Sequence, residues 1–122
     1  MEGDPQTLFN HGVELFNRGE FFECHEVLEQ IWTSAAQGER WFLQSLIHFA
    51  VGFYHHQRGN QKGACRQLAK GLRKIQGYLP EWRGVRTDGI EREARRGLGI
   101  ITSGGKIEAF PKIDQVIPYQ PA

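Results

Sequence analysis

The strongest chemical signal in the sequence is a histidine with two acidic neighbours, in the run HEVLE at 25–29. On a helix, His25 lies about 20° from Trp32, so it is predicted at the middle of an apolar stripe. Glu29 follows one turn later at the edge of that stripe, where a His–Glu pair can share a hydrogen bond or bind a metal. Glu26 is predicted to reach solvent.

A second polar line is predicted on a later helix that is otherwise apolar. Gln44, His48 and His55 fall within about 40° of one another on the helical wheel. Buried polar groups need partners. If this helix runs antiparallel to the one that carries His25, the sequence predicts one interior polar cluster. Its members would be His25, Glu29, Gln44 and His55, with His48 at its margin.

Several interpretations of the cluster stay open at this point. It is a structural network that fixes helix register, a metal site, or a small-molecule or general acid–base site. Alternatively, the later helix faces the other way and the cluster does not form. The sequence therefore leaves enzyme activity undecided. It identifies no cofactor, and a divalent metal is the one candidate.

Known catalytic patterns do not resolve these alternatives. HEVLE lacks the second histidine of the zinc-protease pattern HExxH, and Glu29 takes its place. A di-iron bundle needs ExxH from two helices, which neither 25–32 nor 44–56 supplies. No phosphate loop, nucleophile elbow or dinucleotide fingerprint is present.

The elements that must position these residues are helices. Asp4-Pro5 predicts the start of the first helix, and Asn17-Arg18-Gly19 predicts its end. Later stops are predicted at Gln37-Gly38, Gly59 and Gly77. The remaining predicted helices cover 20–36, 39–58, 61–76 with Asn60 as its cap, and a weaker 88–101 capped by Asp88.

The predicted fold is all-α, a compact single domain over 1–122. It consists of two antiparallel helical hairpins, the weaker fifth helix and an extended or partly disordered C-terminal tail. The core covers about 4–101 and the tail 102–122. The residues predicted to be buried in this core are Phe21, Leu28, Trp32, Leu46, Phe49 and Leu68.

A faint internal repeat with an offset of 40 residues supports the two hairpins. In both copies a helix, an Arg-Gly stop and a second helix follow in the same order. The matching residues are Phe9, Gly12, Arg18, Gly19 and Leu28 in the first copy, and Phe49, Gly52, Arg58, Gly59 and Leu68 in the second.

The charges are distributed unevenly along the chain. Residues 1–57 hold eight acids and two bases, whereas residues 58–96 hold eleven bases and four acids. Either the two halves attract each other, within one chain or across a homodimer, or the basic side meets an anionic partner. The basic residues are Lys62, Arg66, Lys70, Arg73, Lys74, Arg92, Arg95 and Arg96. A solvated outer face is the default interpretation.

The expected partners are another protein or a second copy of the chain. Nucleic acid is not expected, because no aromatic residues are interleaved among the basic ones and no recognition helix is evident. The N-terminal MEGDPQT has no signal-peptide pattern, and the most apolar stretch, 41–54, is too short and too polar to cross a bilayer. Cys24 and Cys65 suit a reducing compartment, so the predicted location is the cytoplasm, with no membrane attachment.

Two runs together resemble a known family. LFNRGEFFECHEVLEQIW and FLQSLIHFAVGFYHHQRGNQKGA are similar to the bacterial and archaeal domain of unknown function 309. The resemblance covers about 8–76, and Phe110-Pro111-Lys112-Ile113 more loosely. It implies a compact all-helical domain but no reaction. The signature residues that it implies are His25, Glu26, Glu29, Trp32, Gln44, His55 and Asn60.

The predicted function is therefore a small helical interaction or structural module with a His/Glu/Gln polar cluster. The alternative is an enzyme, or a metal- or small-ligand-binding protein, that uses His25, Glu29 and His55. A deep pocket that reaches His25 would favour the alternative, and a sealed core would favour the module.

Overall fold

The chain folds as a succession of packed helices, and the computed structural model describes residues 3–121. Each helix packs mainly on the next, and the turns between the first and second helices and between the third and fourth helices are short. The all-α prediction is confirmed. In the described part of the chain, no helix is both long and apolar enough to cross a membrane. The elements are α1 (Pro5–Asn17), α2 (Phe21–Trp32), α3 (Gln37–Gln57), α4 (Gln61–Ile75), a 3-10 turn (Gln76–Tyr78) and α5 (Thr87–Thr102).

The two hairpins repeat one packing arrangement. Gly19 and Gly59 each end the first helix of a hairpin with φ at +79°, a conformation that favours glycine. In the first hairpin, a Cβ at Gly12 would meet Leu28 Cδ2 at 2.9 Å. At Gly52 in the second hairpin, it would meet Leu68 Cδ2 at 2.8 Å. The faint sequence repeat therefore reflects a glycine that lets a leucine approach the neighbouring helix closely.

Of four predicted helix boundaries, two are right and two are wrong. Asp4 Oδ2 accepts a hydrogen bond from the Thr7 backbone at 3.2 Å, and Asn60 Oδ1 accepts one from the Gly63 backbone at 3.0 Å. By contrast, Gln37-Gly38 begin α3 instead of ending α2, since glycine in a first turn interrupts no ladder. Asp88 lies inside α5, which begins one residue earlier.

Five of the six predicted core residues are buried, and Trp32 is the exception. The Trp32 ring lies 4.2 Å beneath the Arg40 guanidinium. Arg40 also donates to the Trp32 carbonyl at 3.0 Å. Trp32 is therefore half-buried at the edge of the core, where its ring face packs against a cation.

Of the two states that the sequence left open for the C-terminal tail, the structure shows the extended one, and the described tail residues pack against the helices. The Asn17 side chain accepts from the Ile113 backbone at 2.7 Å and donates back to its carbonyl at 3.0 Å. Further along, the Tyr119 ring stacks on Phe9 at 4.0 Å between centroids. These contacts come from residues far apart in the chain, so local sequence patterns carry no sign of them.

The two free cysteines should differ in reactivity. Cys24 is fully buried, and burial raises the pKa of its thiol to about 12, against a weaker lowering by a backbone hydrogen bond at Phe16. Cys65 is only partly buried. Because the thiolate is the nucleophile, we expect Ellman's reagent at pH 8 to modify one thiol per native chain and two per denatured chain. Cys65→Ser should abolish the native reaction. Rapid modification of Cys24 in the native protein would contradict its packing.

Candidate functional site

The half-buried side of α3 lies between α2 and α4, and two hollows open along it. The apolar hollow has a volume of about 150 Å³. The polar hollow has a volume of about 140 Å³. We call the two hollows, together with Lys74 of α4, the α3 groove. The apolar hollow is lined by Phe21, Phe22, His25, Val51, Tyr54 and His55. The polar hollow is lined by Glu29, Trp32, Gln44, Ile47 and His48.

The aromatic ring of Phe22 lies at the rim of the apolar hollow. Phe22 is 43% exposed, although it is one of the large apolar residues of α2. Its ring lies 5.3 Å from the His25 ring and 5.3 Å from the Tyr54 ring, measured between centroids. Val51 adds an aliphatic surface from α3. The result is a small apolar recess that is open to solvent on the α2 side.

His25 lines the apolar hollow, and each of its ring nitrogens faces an oxygen atom of α2. Nδ1 lies 2.9 Å from the Phe22 carbonyl oxygen, and Nε2 lies 3.3 Å from Glu29 Oε1. Since the carbonyl oxygen can only accept, Nδ1 is the donor in the first contact. The imidazole is thereby oriented by the Phe22 carbonyl, and its Nε2 edge faces the Glu29 carboxylate.

His55 is positioned from the start of α4. Asn60 Nδ2 lies 3.5 Å from His55 Nδ1, a long contact, while the Asn60 backbone donates to the His55 carbonyl at 2.8 Å. A Cβ at Gly63 would lie 2.6 Å from Asn60 Nδ2 and 3.0 Å from His55 Cδ2. The spacing HxxxGNxxG thus has a physical basis: a left-handed glycine at 59, a capping asparagine and a glycine that leaves room for the imidazole.

A lysine of α4 contacts two of the residues that line the polar hollow. Lys74 Nζ donates to Gln44 Oε1 at 3.0 Å and to His48 Nε2 at 3.1 Å. On the other side of the ring, His48 Nδ1 lies 2.8 Å from Gln67 Oε1. Because Nε2 accepts from an ammonium group, the proton of His48 sits on Nδ1 and the ring is neutral.

The predicted cluster residues therefore lie along one groove but do not form one interior network. His25 is half-buried, Glu29 is exposed, and Glu26 reaches solvent as expected. Within residues 3–121, no hydrogen bond joins His25 or Glu29 to Gln44, His48 or His55. The prediction that the cluster is interior is wrong. Gln44, His48 and His55 are only half-buried, because the deeply buried side of α3 is opposite to them.

A metal centre gains no support from this arrangement. Among the described residues, no group of three or more His, Cys, Asp or Glu side chains is placed to hold an ion. His25 and Glu29 supply two donor groups, whereas protein sites for transition metals generally use three or four.

Among residues 3–121 the most deeply buried acid is Glu39, which is not one of the predicted site residues. Its Oε1 accepts from Trp82 Nε1 at 3.1 Å and from Arg83 Nε at 2.9 Å. Its Oε2 accepts from the Tyr119 hydroxyl at 2.6 Å, and burial together with this hydrogen bond raises the pKa of Tyr119 well above its ordinary value. Glu39 lies about 20° from Leu46 on the helical wheel, so an acid on the apolar face was the available signal.

The buried histidine of the fold is His56, not His25. His56 Nε2 accepts from the Ile107 backbone at 3.0 Å, and Nδ1 lies 2.6 Å from Gln61 Oε1. His56 falls about 20° from Phe49 on the wheel, which again marks a polar residue on the buried face. Its hydrogen bonds are all internal, so it anchors the start of the tail.

Lowering the pH should destabilise the folded protein, because His48 becomes protonated. Burial lowers the pKa of His48 below its ordinary 6.5; the Gln67 hydrogen bond opposes this, and Lys74, Lys70 and Arg73 reinforce it. The unfolded chain therefore takes up this proton before the folded chain does, so stability is lost as the pH falls from 6.5 toward the folded pKa.

We expect His48→Gln to reduce this loss of stability, as measured by urea unfolding between pH 7 and pH 5. His11→Gln, at an exposed histidine of α1, is the matched control and should retain the wild-type slope. Equal slopes in His48→Gln and wild type would show that His48 is protonated as easily in the folded protein as in the unfolded chain.

Comparison with known proteins places these residues in a family context. Residues 9–67 match the family described as a domain of unknown function, DUF309. An uncharacterized protein of Bacillus subtilis strain 168, YpuF, is 34% identical over 88 residues, which make up 71% of this chain and 49% of that relative. The chain thus spans about half the length of this relative.

Proposed function

We propose that this protein, which carries the DUF309 domain over residues 9–67, is a peptide-docking module that binds a segment of another protein in the α3 groove. The observation that carries the proposal is the apolar hollow, which holds the half-exposed Phe22 at its rim. An exposed aromatic residue beside a recess of apolar side chains is typical of a surface that receives an apolar anchor from a partner.

The size of the groove suits a short segment. From Gln44 to His55, α3 runs for about 17 Å at 1.5 Å per residue. An extended peptide covers this length with about five residues, and a helix with about eleven. One aliphatic or aromatic side chain in the apolar hollow would contribute roughly 1.5–3 kcal/mol to binding.

The arrangement of His25 favours docking over catalysis. A general base needs an unprotonated nitrogen that faces a substrate. Neither ring nitrogen of His25 is left facing the hollow without a partner, since Nδ1 is hydrogen-bonded to the Phe22 carbonyl and Nε2 lies 3.3 Å from Glu29 Oε1. Its role in the proposal is to fix the rim of the hollow.

The proposal can be tested by selecting peptides from a random phage library on the immobilised protein. Selected sequences should share one large apolar residue. Synthetic copies should bind Phe22→Ser at least about tenfold more weakly than wild type, which corresponds to about 1.4 kcal/mol. Because Phe22 is exposed, this change should leave folding intact, and a circular dichroism melt checks that.

The matched control is Val116→Ser, which removes an equally exposed apolar side chain from the tail. Its affinity for the same peptides should stay within about twofold of wild type. If no peptide is enriched, or if Phe22→Ser and Val116→Ser bind equally well, the docking proposal fails.

A small-ligand site at the same hollow is the second candidate. The specific observation in its favour is that His25 and His55 line one recess. Elemental analysis and native mass spectrometry of the purified protein test it directly. A stoichiometric metal or organic ligand that disappears in His25→Ala and His55→Ala, but not in His11→Ala, would favour this candidate over peptide docking.

A further inference from the structure

We propose that the polar end of the α3 groove binds a carboxylate of the docked segment, about three residues from its apolar anchor if the segment is extended. This inference rests on the proposed docking function and adds the chemistry of the partner. The receiving group is the Lys74 ammonium, held by Gln44 and His48.

The three basic residues at this end have no ion-pair partner within the described residues, and the acid that lines the polar hollow, Glu29, faces His25. Lys70, Arg73 and Lys74 occupy one stretch of α4, and among residues 3–121 no carboxylate oxygen lies within 4 Å of their charged nitrogens. Two of the three α5 arginines differ, since Arg95 pairs with Glu91 and Arg96 with Glu93. Unpaired cations beside a recess favour an external anion.

Lys74 is also fixed in place. Its two acceptors, at 3.0 and 3.1 Å, leave the third N–H of the ammonium for a ligand. Burial lowers the pKa of Lys74, and Arg73 and Lys70 lower it further. An anion at this point would relieve the repulsion among the three cations, so its binding is electrostatically favoured.

The charge asymmetry of the chain leads to the same conclusion. Of the ion pairs among the described residues, Arg83–Glu39 is the one that joins the acidic segment 1–57 to the basic segment 58–96. The two segments therefore hardly neutralise each other directly, and the basic side of α4 is left for a partner. Trp41 extends the same surface with an apolar side chain that is 55% exposed. The centroid of its ring lies 5.9 Å from Lys74 Nζ.

The spacing follows from α3, which forms the floor of both hollows. Gln44 lies at the polar end and Val51 at the apolar end, seven residues or about 10 Å apart along the helix. An extended peptide covers 10 Å in about three residues, and a helical one in about seven. The partner segment should therefore carry glutamate or aspartate at one of these two offsets from its anchor.

The test uses peptides built on an anchor sequence selected by the phage experiment. Glutamate, glutamine or phosphoserine is placed three or seven residues before or after the anchor, and affinity is measured by fluorescence anisotropy. We expect glutamate at one offset to bind at least about fivefold more tightly than glutamine, with the difference reduced in 0.5 M salt. Lys74→Gln should abolish this preference, whereas Lys112→Gln, at an exposed lysine of the tail, should retain it.

The outcomes separate the two proposals. If Phe22→Ser weakens binding but glutamate and glutamine bind equally at every offset, docking stands and the carboxylate site is overturned. A phosphoserine peptide that binds far more tightly than the glutamate peptide, through Lys74, would overturn the carboxylate in favour of a phosphate. If Lys74→Gln and Lys112→Gln weaken the glutamate peptide equally, general electrostatic attraction replaces the site. If no selected peptide binds, both proposals fail.

Discussion

Glu39→Ala should destabilise the protein by about 3 kcal/mol, because it leaves three donors in the interior without their acceptor. The Trp82 indole, the Arg83 guanidinium and the Tyr119 hydroxyl all donate to this one carboxylate. Breaking a buried ion pair by removing one partner typically costs about 3–5 kcal/mol. Arg83 is a third exposed and can turn toward water, so the lower end of that range is expected.

Urea unfolding measures this effect, and two variants calibrate it. Tyr119→Phe removes one donor to a charged acceptor and should cost about 1.5–3 kcal/mol. Tyr54→Phe removes a hydroxyl that makes no hydrogen bond within the described residues, and should cost under about 0.5 kcal/mol. Trypsin should also cleave at Lys112 faster in Glu39→Ala, since the tail loses its anchor. A stability within about 1 kcal/mol of wild type would contradict this account of Glu39.

Leu28→Ala should cost about 2–5 kcal/mol, the range for a leucine deleted from a packed core. Leu28 is 1% exposed. Its Cδ2 occupies the space that a side chain at position 12 would need, which Gly12 leaves free. The helices are held at this separation, so the cavity left by alanine cannot close easily.

The internal repeat supplies the matched comparison for Leu28. Leu68 occupies the same position in the second hairpin, against Gly52, and Leu68→Ala should cost a similar amount. Leu98→Ala, at a half-buried leucine of α5, should cost less. A loss below about 1 kcal/mol for Leu28→Ala, measured by urea unfolding, would mean that the α1–α2 contact is misassigned.

Local patterns predicted the helices well because caps and stops act within a few residues. Asp4 and Asn60 cap the helices that they were expected to cap. The boundary at Gln37-Gly38 was missed, since the same dipeptide is compatible with the end of one helix or the first turn of the next. Pattern alone does not decide between those two positions.

The site was predicted in its members but not in its geometry. The helical wheel correctly aligned Gln44, His48 and His55 on one side of α3. It could not say whether that side faces the core or a groove, because this depends on how α2 and α4 pack against α3. The Glu39 contacts were beyond reach for a related reason: Tyr119 is 80 residues away in the chain.

The central claim is that the α3 groove is where a partner segment docks. Its most direct test is a heteronuclear NMR titration of the labelled protein with a peptide selected by phage display. The account predicts that the largest amide shift changes fall on α2 and α3 around Phe22, His25, Val51 and His55, with a second group at His48 and Lys74. Shift changes confined to α5 or to the C-terminal tail would contradict it.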